Sequence, residues 1–238
     1  MLFRIAVSAF LIAGAFHASV AEAANYRLPY PQNHERVLQQ AKALGAPMQA
    51  VHRALKEAER REYTKKDVVS VFDISQPSRN KRFYLLDLKA GKVLNFHVSH
   101  GYGNGDHHRA WKFKGFQKDG VYMVPLGALR TGDKAYYLDQ YVVIKDRYNG
   151  KAYRDLVVVD LIGMKPYNNR FHRYDLWAIM HPSWYVTEGY RANNNGGLGR
   201  SKGCLAMDPA TSNFVFRRVA GGSLIYVTVG NDPIEKYL

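Results

Sequence analysis

VVSVFDI (68–74), RFYLLDL (82–88), VLNFHVSH (93–100), GVYMVPL (120–126), YYLDQYVVI (136–144), LVVVDL (156–161), DLWAIMH (175–181) and LIYVTVG (224–230) are short runs rich in β-branched and aromatic residues. Clusters of Gly, Pro, Asn and Asp separate them, which is the pattern of strands joined by turns. The spacing predicts a mainly β domain over residues 67–238. One helix interrupts it late in the chain: Asp208 is a suitable cap and Pro209 suits a first turn. Phe214, Val215 and Val219 are expected to face inward, and Gly221-Gly222 to end the helix.

Upstream of the strands, residues 24–66 carry a different punctuation. Asn33 is expected to cap a first helix and Gly45 to end it. Pro47 suits the first turn of a second helix, whose apolar residues Met48, Val51, Ala54, Leu55 and Ala58 recur at three- and four-residue steps. The result is an amphipathic helical hairpin whose apolar stripe should pack on the β domain. Further upstream, residues 1–23 read as a secretory signal peptide: Arg4, an apolar run from Ile5 to Phe16, then Ala21-Glu22-Ala23, with cleavage expected after Ala23. The apolar run is short for a bilayer span, so the mature protein is expected in the periplasm or cell envelope with no membrane span.

The 238 residues include 34 Lys plus Arg against 20 Asp plus Glu, and 47% are apolar. That balance excludes a largely disordered or collagen-like chain, and a single cysteine excludes a disulfide-stapled one. Removing residues 1–23 takes Arg4 and Glu22 with it, so the mature chain keeps the net charge of +14. An exported basic protein favours anionic partners, and outside the cytoplasm these are wall and envelope polymers rather than nucleic acid.

The densest chemistry lies in Gly199-Arg200-Ser201-Lys202-Gly203-Cys204-Leu205-Ala206-Met207. The block also spells G-x-S-x-G, but a serine elbow needs a preceding strand and a later His. Here an Asn/Gly loop (193–199) precedes, and the last His is His181. The thiol fits better. Cys204 follows His181 by 23 residues. A strand ending at His181, a Gly-rich excursion and a return at Cys204 would set base and nucleophile side by side. The imidazole would then hold a thiolate as an ion pair, lowering the thiol pKa from about 8.5. Backbone N–H groups around Gly203 and Cys204 are candidate oxyanion donors, and Arg200 and Lys202 add positive potential.

His, a Gly-rich loop and then Ser-x-Gly-Cys resembles the L,D-transpeptidase (YkuD-like) catalytic domain, in its murein L,D-transpeptidase branch. The resemblance runs over about residues 67–229: RFYLLDLKAGKVL, His100-Gly101 with Gly103 and Gly105, Pro125-Leu126-Gly127 with Thr131, Tyr136 and Tyr137, Leu176 to His181, and GRSKGC. Lys202 stands where the family usually has His. The resemblance implies a β-sandwich or barrel-like catalytic domain, with Cys204 as nucleophile, His181 as base, Ser201 and Gly203 shaping the site, and the Pro182 carbonyl orienting His181. It also implies peptidoglycan stem peptides as donor and acceptor, and no cofactor. Arg200, Lys202, His100, Tyr102 and Arg191 are the expected substrate-binding side chains. Two other readings stay open. His100 and Gly103 match the start of a zinc peptidase His-x-x-Gly signature, and a basic domain that binds the wall without turnover is a third possibility.

Overall fold

In the computed structural model, residues 26–113, 122–138, 142–168 and 178–237 are described. The expected signal peptide, residues 1–23, lies outside them. The expected hairpin is present as α1 (His34–Ala43) and α2 (Met48–Ala58). Its ends differ in detail from the sequence expectation. Asn33 stands at the N-cap position, but its side chain donates to the Leu88 and Lys89 carbonyls at 2.8 and 3.1 Å instead of capping α1. Gly45 follows the end of α1 at φ 76°, a left-handed conformation that glycine adopts without strain. Pro47 is the N-cap residue of α2 and not part of its first turn.

The strands are β1 (Val68–Asp73), β2 (Phe83–Asp87), β3 (Lys92–Phe96), β4 (Gly127–Thr131), β5 (Tyr136–Tyr137), β6 (Ile144–Lys145), β7 (Ala152–Tyr153), β8 (Val157–Gly163), β9 (Ile179–Pro182), β10 (Leu205–Met207) and β11 (Leu224–Thr228). One sheet runs β10-β9-β8-β4-β11-β1-β2-β3, with β5 paired to β8, and β6 and β7 form a separate ribbon. Its two ends approach each other: Val98, just past β3, bridges to Met207 on β10, and the Ser99 N–H donates to the Ala206 carbonyl at 2.9 Å. The protein is therefore mainly β, with a curled, barrel-like sheet. β1, β2 and β11 are buried along their whole length, which requires cover on both faces. Packing of α1 on β2, of α2 on β1 and β11, and of α4 (Pro209–Val219) on β1, β8 and β9 supplies it. The helical hairpin and the sheet share one hydrophobic cluster.

Two expected strands are corrected. Residues 122–126 form no strand, because Tyr122 takes φ 47°, the Val124 N–H is held by Asn104 Oδ1 at 2.9 Å, and Pro125 has no N–H. The strand starts later, at Gly127. Among its described residues, the run 136–144 contributes the short strand β5 and the first residue of β6. A short helix, α3 (Glu188–Ala192), was not anticipated.

The late helix begins as expected, with Asp208 accepting the Ala210 N–H at 3.0 Å. Phe214 does not face inward: it is 54% exposed, whereas Val215, Phe216 and Val219 are fully buried. The helical period places residues 215, 216 and 219 on one face and turns 214 away from it. Phe216→Ala is accordingly expected to cost about 3–5 kcal/mol and Phe214→Ala less than about 1 kcal/mol, read from urea midpoints.

Candidate active site

β9 and β10 are parallel neighbours in register Met180 with Leu205, His181 with Ala206 and Pro182 with Met207. Parallel neighbours need a crossover, and here it is residues 183–204, which hold α3 and the Asn/Gly loop. Cys204 enters β10 two residues before Ala206, which returns the chain alongside the end of β9. The thiol lies beside the backbone N–H of Ile179, two residues before His181 on β9.

His181 is half-buried, and its Nδ1 lies 3.0 Å from the Pro182 carbonyl. A carbonyl only accepts, so Nδ1 carries the proton and Nε2 is the basic nitrogen. Burial lowers the His181 pKa below its ordinary range, against the Pro182 carbonyl. Burial raises that of the Cys204 thiol, with the Ile179 N–H acting the other way. Both shifts favour uncharged forms. Burial therefore works against the thiolate–imidazolium pair expected from the sequence, whereas the Ile179 N–H and the Pro182 carbonyl work toward it.

The turn before the cysteine is closed on itself. Ser201 Oγ donates to the Cys204 carbonyl at 2.6 Å and accepts the Gly203 N–H at 3.1 Å. The Gly203 amide is thus engaged by Ser201 rather than directed at an oxyanion. Gly203 takes φ 102°, where a side chain would be strained. The same segment is zipped to the chain after β3: Gly101 bridges to Ser201, the Ser201 N–H donates to the His100 carbonyl at 2.9 Å, and the Tyr102 N–H donates to the Ser201 carbonyl at 2.9 Å.

The expected substrate-binding residues divide into two sets. Tyr102 is 51% exposed, and the Arg200 guanidinium lies 4.7 Å from its ring centroid while Nη1 donates to the Gly105 carbonyl at 2.7 Å. Lys202 is exposed, with its ammonium 5.8 Å from the Tyr122 ring. Tyr102 and Lys202 thus reach the surface, and Arg200 is half-buried beside them. His100 does not: it is fully buried, Arg82 Nη2 donates to its Nδ1 at 2.7 Å, and its Nε2 donates to the Asp106 carbonyl at 2.8 Å. With both nitrogens taken it can neither touch a substrate nor ligate zinc. Among the described residues no group of three or more His, Cys, Asp or Glu is placed to hold a metal ion. Arg191 is also committed, donating to His97 Nδ1 at 2.9 Å and lying 3.7 Å from Asp208 Oδ2, so it ties α3 to the end of β3 and the cap of α4.

Two residues near the site carried no sequence signal. Arg82 opens an apolar run and looks like an ordinary surface charge, yet it is wholly buried. Tyr185 lies against Val186, Leu198 and Ala206, and its hydroxyl is pushed up to about 12 by burial, with Ser183, Cys204 and Tyr102 acting on it.

The buried histidines make a stability prediction. Burial and the Arg82 charge hold His100 down at about 3, and burial and Arg191 hold His97 at about 4. The unfolded chain binds these protons near pH 6.5, so stability is complete above that pH and is lost as pH falls toward the folded values. His100 alone is expected to remove about 1.4 kcal/mol per pH unit between 6.5 and its folded pKa, and half-exposed His97 less. Urea midpoints measured from pH 7 to 4.5 should fall steadily, and His100→Gln should flatten that slope.

The sequence profile of one family, described as the L,D-transpeptidase catalytic domain, matches residues 40–228, so the match includes α2 as well as the sheet. Among solved structures the chain is similar to LD transpeptidase LdtMt1 in complex with imipenem, at 17% identity over 68% of this chain and 59% of that one, TM-score 0.35. It is similar to an L,D-transpeptidase from Mycobacterium smegmatis at 16% identity over 68% and 58%, TM-score 0.35. An L,D-transpeptidase (Yku) from Stackebrandtia nassauensis matches at 14% identity over 83% and 78%, TM-score 0.34. The chain thus spans less than two thirds of the length of the first two. No curated protein sequence matches it. With the profile covering most of the chain, including the His181 strand and the Ser201–Cys204 turn, this protein belongs to the L,D-transpeptidase catalytic domain family.

Proposed function

We propose that this protein is an exported peptidoglycan L,D-transpeptidase that uses Cys204 as nucleophile and His181 as general base. The observation that carries the reading is the β9/β10 register, which brings the chain at Cys204 back beside the strand that holds His181. The Nδ1 contact with the Pro182 carbonyl leaves Nε2 as the acceptor for the thiol proton. As that proton moves, Sγ attacks an amide carbonyl of a donor stem peptide where an L-configured centre is joined to a D-residue. The His181 imidazolium then protonates the departing amine, and a thioester acyl-enzyme remains. An acceptor amine from a second stem peptide loses its proton to His181, attacks the thioester and frees the thiol. A new amide, the cross-link, is the product.

Burial of both groups suits this order of events. A neutral thiol and imidazole are the cheaper resting state in a low-dielectric site, and charge appears only when a substrate is there to be attacked. Arg200, stacked on Tyr102, and Lys202 at the exposed rim are the cations we assign to stem-peptide carboxylates. Ser201 and Gly203 shape the turn that carries the nucleophile. Residues 1–23 are the proposed signal peptide, residues 24–66 the helical region and residues 67–238 the catalytic domain. Among the described residues no helix is long and apolar enough to cross a membrane.

The deciding experiment incubates the mature protein with purified disaccharide-tetrapeptide, with and without Cys204→Ala, and reads products by mass spectrometry. A cross-linked dimer that needs Cys204 is the expected result, and fragmentation locates the donor residue. Release of terminal D-Ala alone would mean water is the acceptor and the enzyme is a carboxypeptidase. Turnover that survives in Cys204→Ala would overturn the mechanism.

A further inference from the structure

Arg82 is wholly buried, and its guanidinium is saturated by groups from two loops. Nε and Nη2 donate to the Val98 carbonyl at 3.1 and 3.0 Å, and Nη1 donates to the Ile74 and Gln76 carbonyls at 3.2 and 2.7 Å. Nη2 also donates to His100 Nδ1 at 2.7 Å, and the guanidinium carbon lies 5.4 Å from the centre of the Phe72 ring. No carboxylate ion-pairs with it among the described residues, and burial lowers its pKa to about 9 despite Asp73. A cation desolvated in this way is expensive, and an apolar side chain would fill the space at lower cost. Such a side chain could not join the residues after β1 to the residues after β3. The fork geometry of arginine can.

From His100 the connection runs on to the nucleophile. The His100 carbonyl accepts the Ser201 N–H at 2.9 Å, and Ser201 Oγ donates to the Cys204 carbonyl at 2.6 Å. The links are short and continuous, running from buried groups to the partly buried Cys204 carbonyl, and the only side chain in the last of them is the Ser201 hydroxyl. We propose that Arg82 and His100 are positioning residues: the buried guanidinium fixes the His100 ring and main chain, and these fix the Ser201–Cys204 turn and hence the direction of the thiol. The proposal rests on Cys204 being the nucleophile. Neither residue touches substrate, so weakening them should affect the chemical step and not ground-state binding.

Arg82→Lys keeps the charge but has only three donors for the four acceptor groups, and His100→Gln keeps a donor for the Asp106 carbonyl while removing the Nδ1 acceptor. Each is expected to lower kcat for Cys204 acylation about 10- to 100-fold with KM changed less than about twofold. If the two act along one path, the double variant is little worse than either single one. Effects that multiply, or a folded Arg82→Lys enzyme with wild-type kcat, would overturn the proposal. Should Arg82→Lys fail to fold, His100→Gln with Ser201→Ala provides the same cycle and the same criteria. A second readout is independent of turnover: amide NMR signals of Ser201, Gly203 and Cys204 in His100→Gln. Their displacement supports the mechanical link, and their constancy overturns it. Absence of wild-type turnover would instead overturn the transpeptidase reading, leaving the NMR result to decide the link.

Discussion

His181→Gln is expected to slow acylation of Cys204 at pH 7 by about 10²- to 10⁴-fold, the usual range for loss of a positioned general base. The argument starts from the resting state. Burial raises the Cys204 pKa and lowers that of His181, which favours the neutral thiol and leaves attack dependent on a base that takes the proton. The wild-type pH profile should therefore have its acidic limb below 6.5, where the lowered His181 finally protonates. In His181→Gln that limb should vanish, and the residual rate should climb with pH as hydroxide generates thiolate above the ordinary thiol range. Cys204→Ala should be inactive at every pH. Single-turnover acylation followed by intact mass across pH 5 to 10 separates the three profiles. A wild-type rate at pH 7 in His181→Gln would remove the residue from the mechanism.

Gly101→Ala is expected to be the most damaging single methyl that can be added near the site. A Cβ there would sit 1.9 Å from the Tyr122 carbonyl oxygen and 3.2 Å from the Gly203 Cα. The backbone at Gly101 has φ −78°, which any residue adopts, so the harm comes from space alone. Both neighbours are main chain and cannot rotate away. The Tyr122 carbonyl accepts the Gly103 N–H at 3.1 Å, and Gly203 belongs to the turn that leads into Cys204. Relief of the clash must push these segments apart, which should cost about 1–3 kcal/mol of stability and about 10²-fold or more in kcat. Gly150→Ala is the control: nothing lies within 4 Å of its Cβ, but φ +71° strains the backbone. It should lose about 1–2 kcal/mol with kcat unchanged. Urea denaturation and acylation kinetics on the two variants distinguish loss of stability from loss of site geometry.

The amino-acid sequence by itself determined the mainly β class, the helical hairpin before it and the helix capped by Asp208, and it singled out His181 and Cys204, which the fold sets on or beside the neighbouring strands β9 and β10. These are properties of period, punctuation and short motifs, and they depend on residues close together in the chain. The apolar stripe of α2 had to be buried, so its packing on the sheet followed. Errors arose where a distant partner overruled a local pattern. Residues 122–126 look like a strand, but Asn104 claims the Val124 amide and Tyr122 turns left-handed. Phe214 is apolar but rides on the wrong side of its helix.

The roles of charged and polar side chains were decided only by the tertiary structure. His100 and Arg191 carry the chemistry of ligand-binding residues, yet the first is sealed between Arg82 and the Asp106 carbonyl and the second ties His97 to Asp208. Arg82 shows the converse: a residue that reads as surface charge lies at the centre of a buried network. A side chain's type states which hydrogen bonds it can make, but its partners come from segments tens or hundreds of residues away. Whether His181 and Cys204 rest charged or neutral follows the same logic. The motif supplies an acid and a base, and the depth at which the fold buries them decides where the proton sits before substrate arrives.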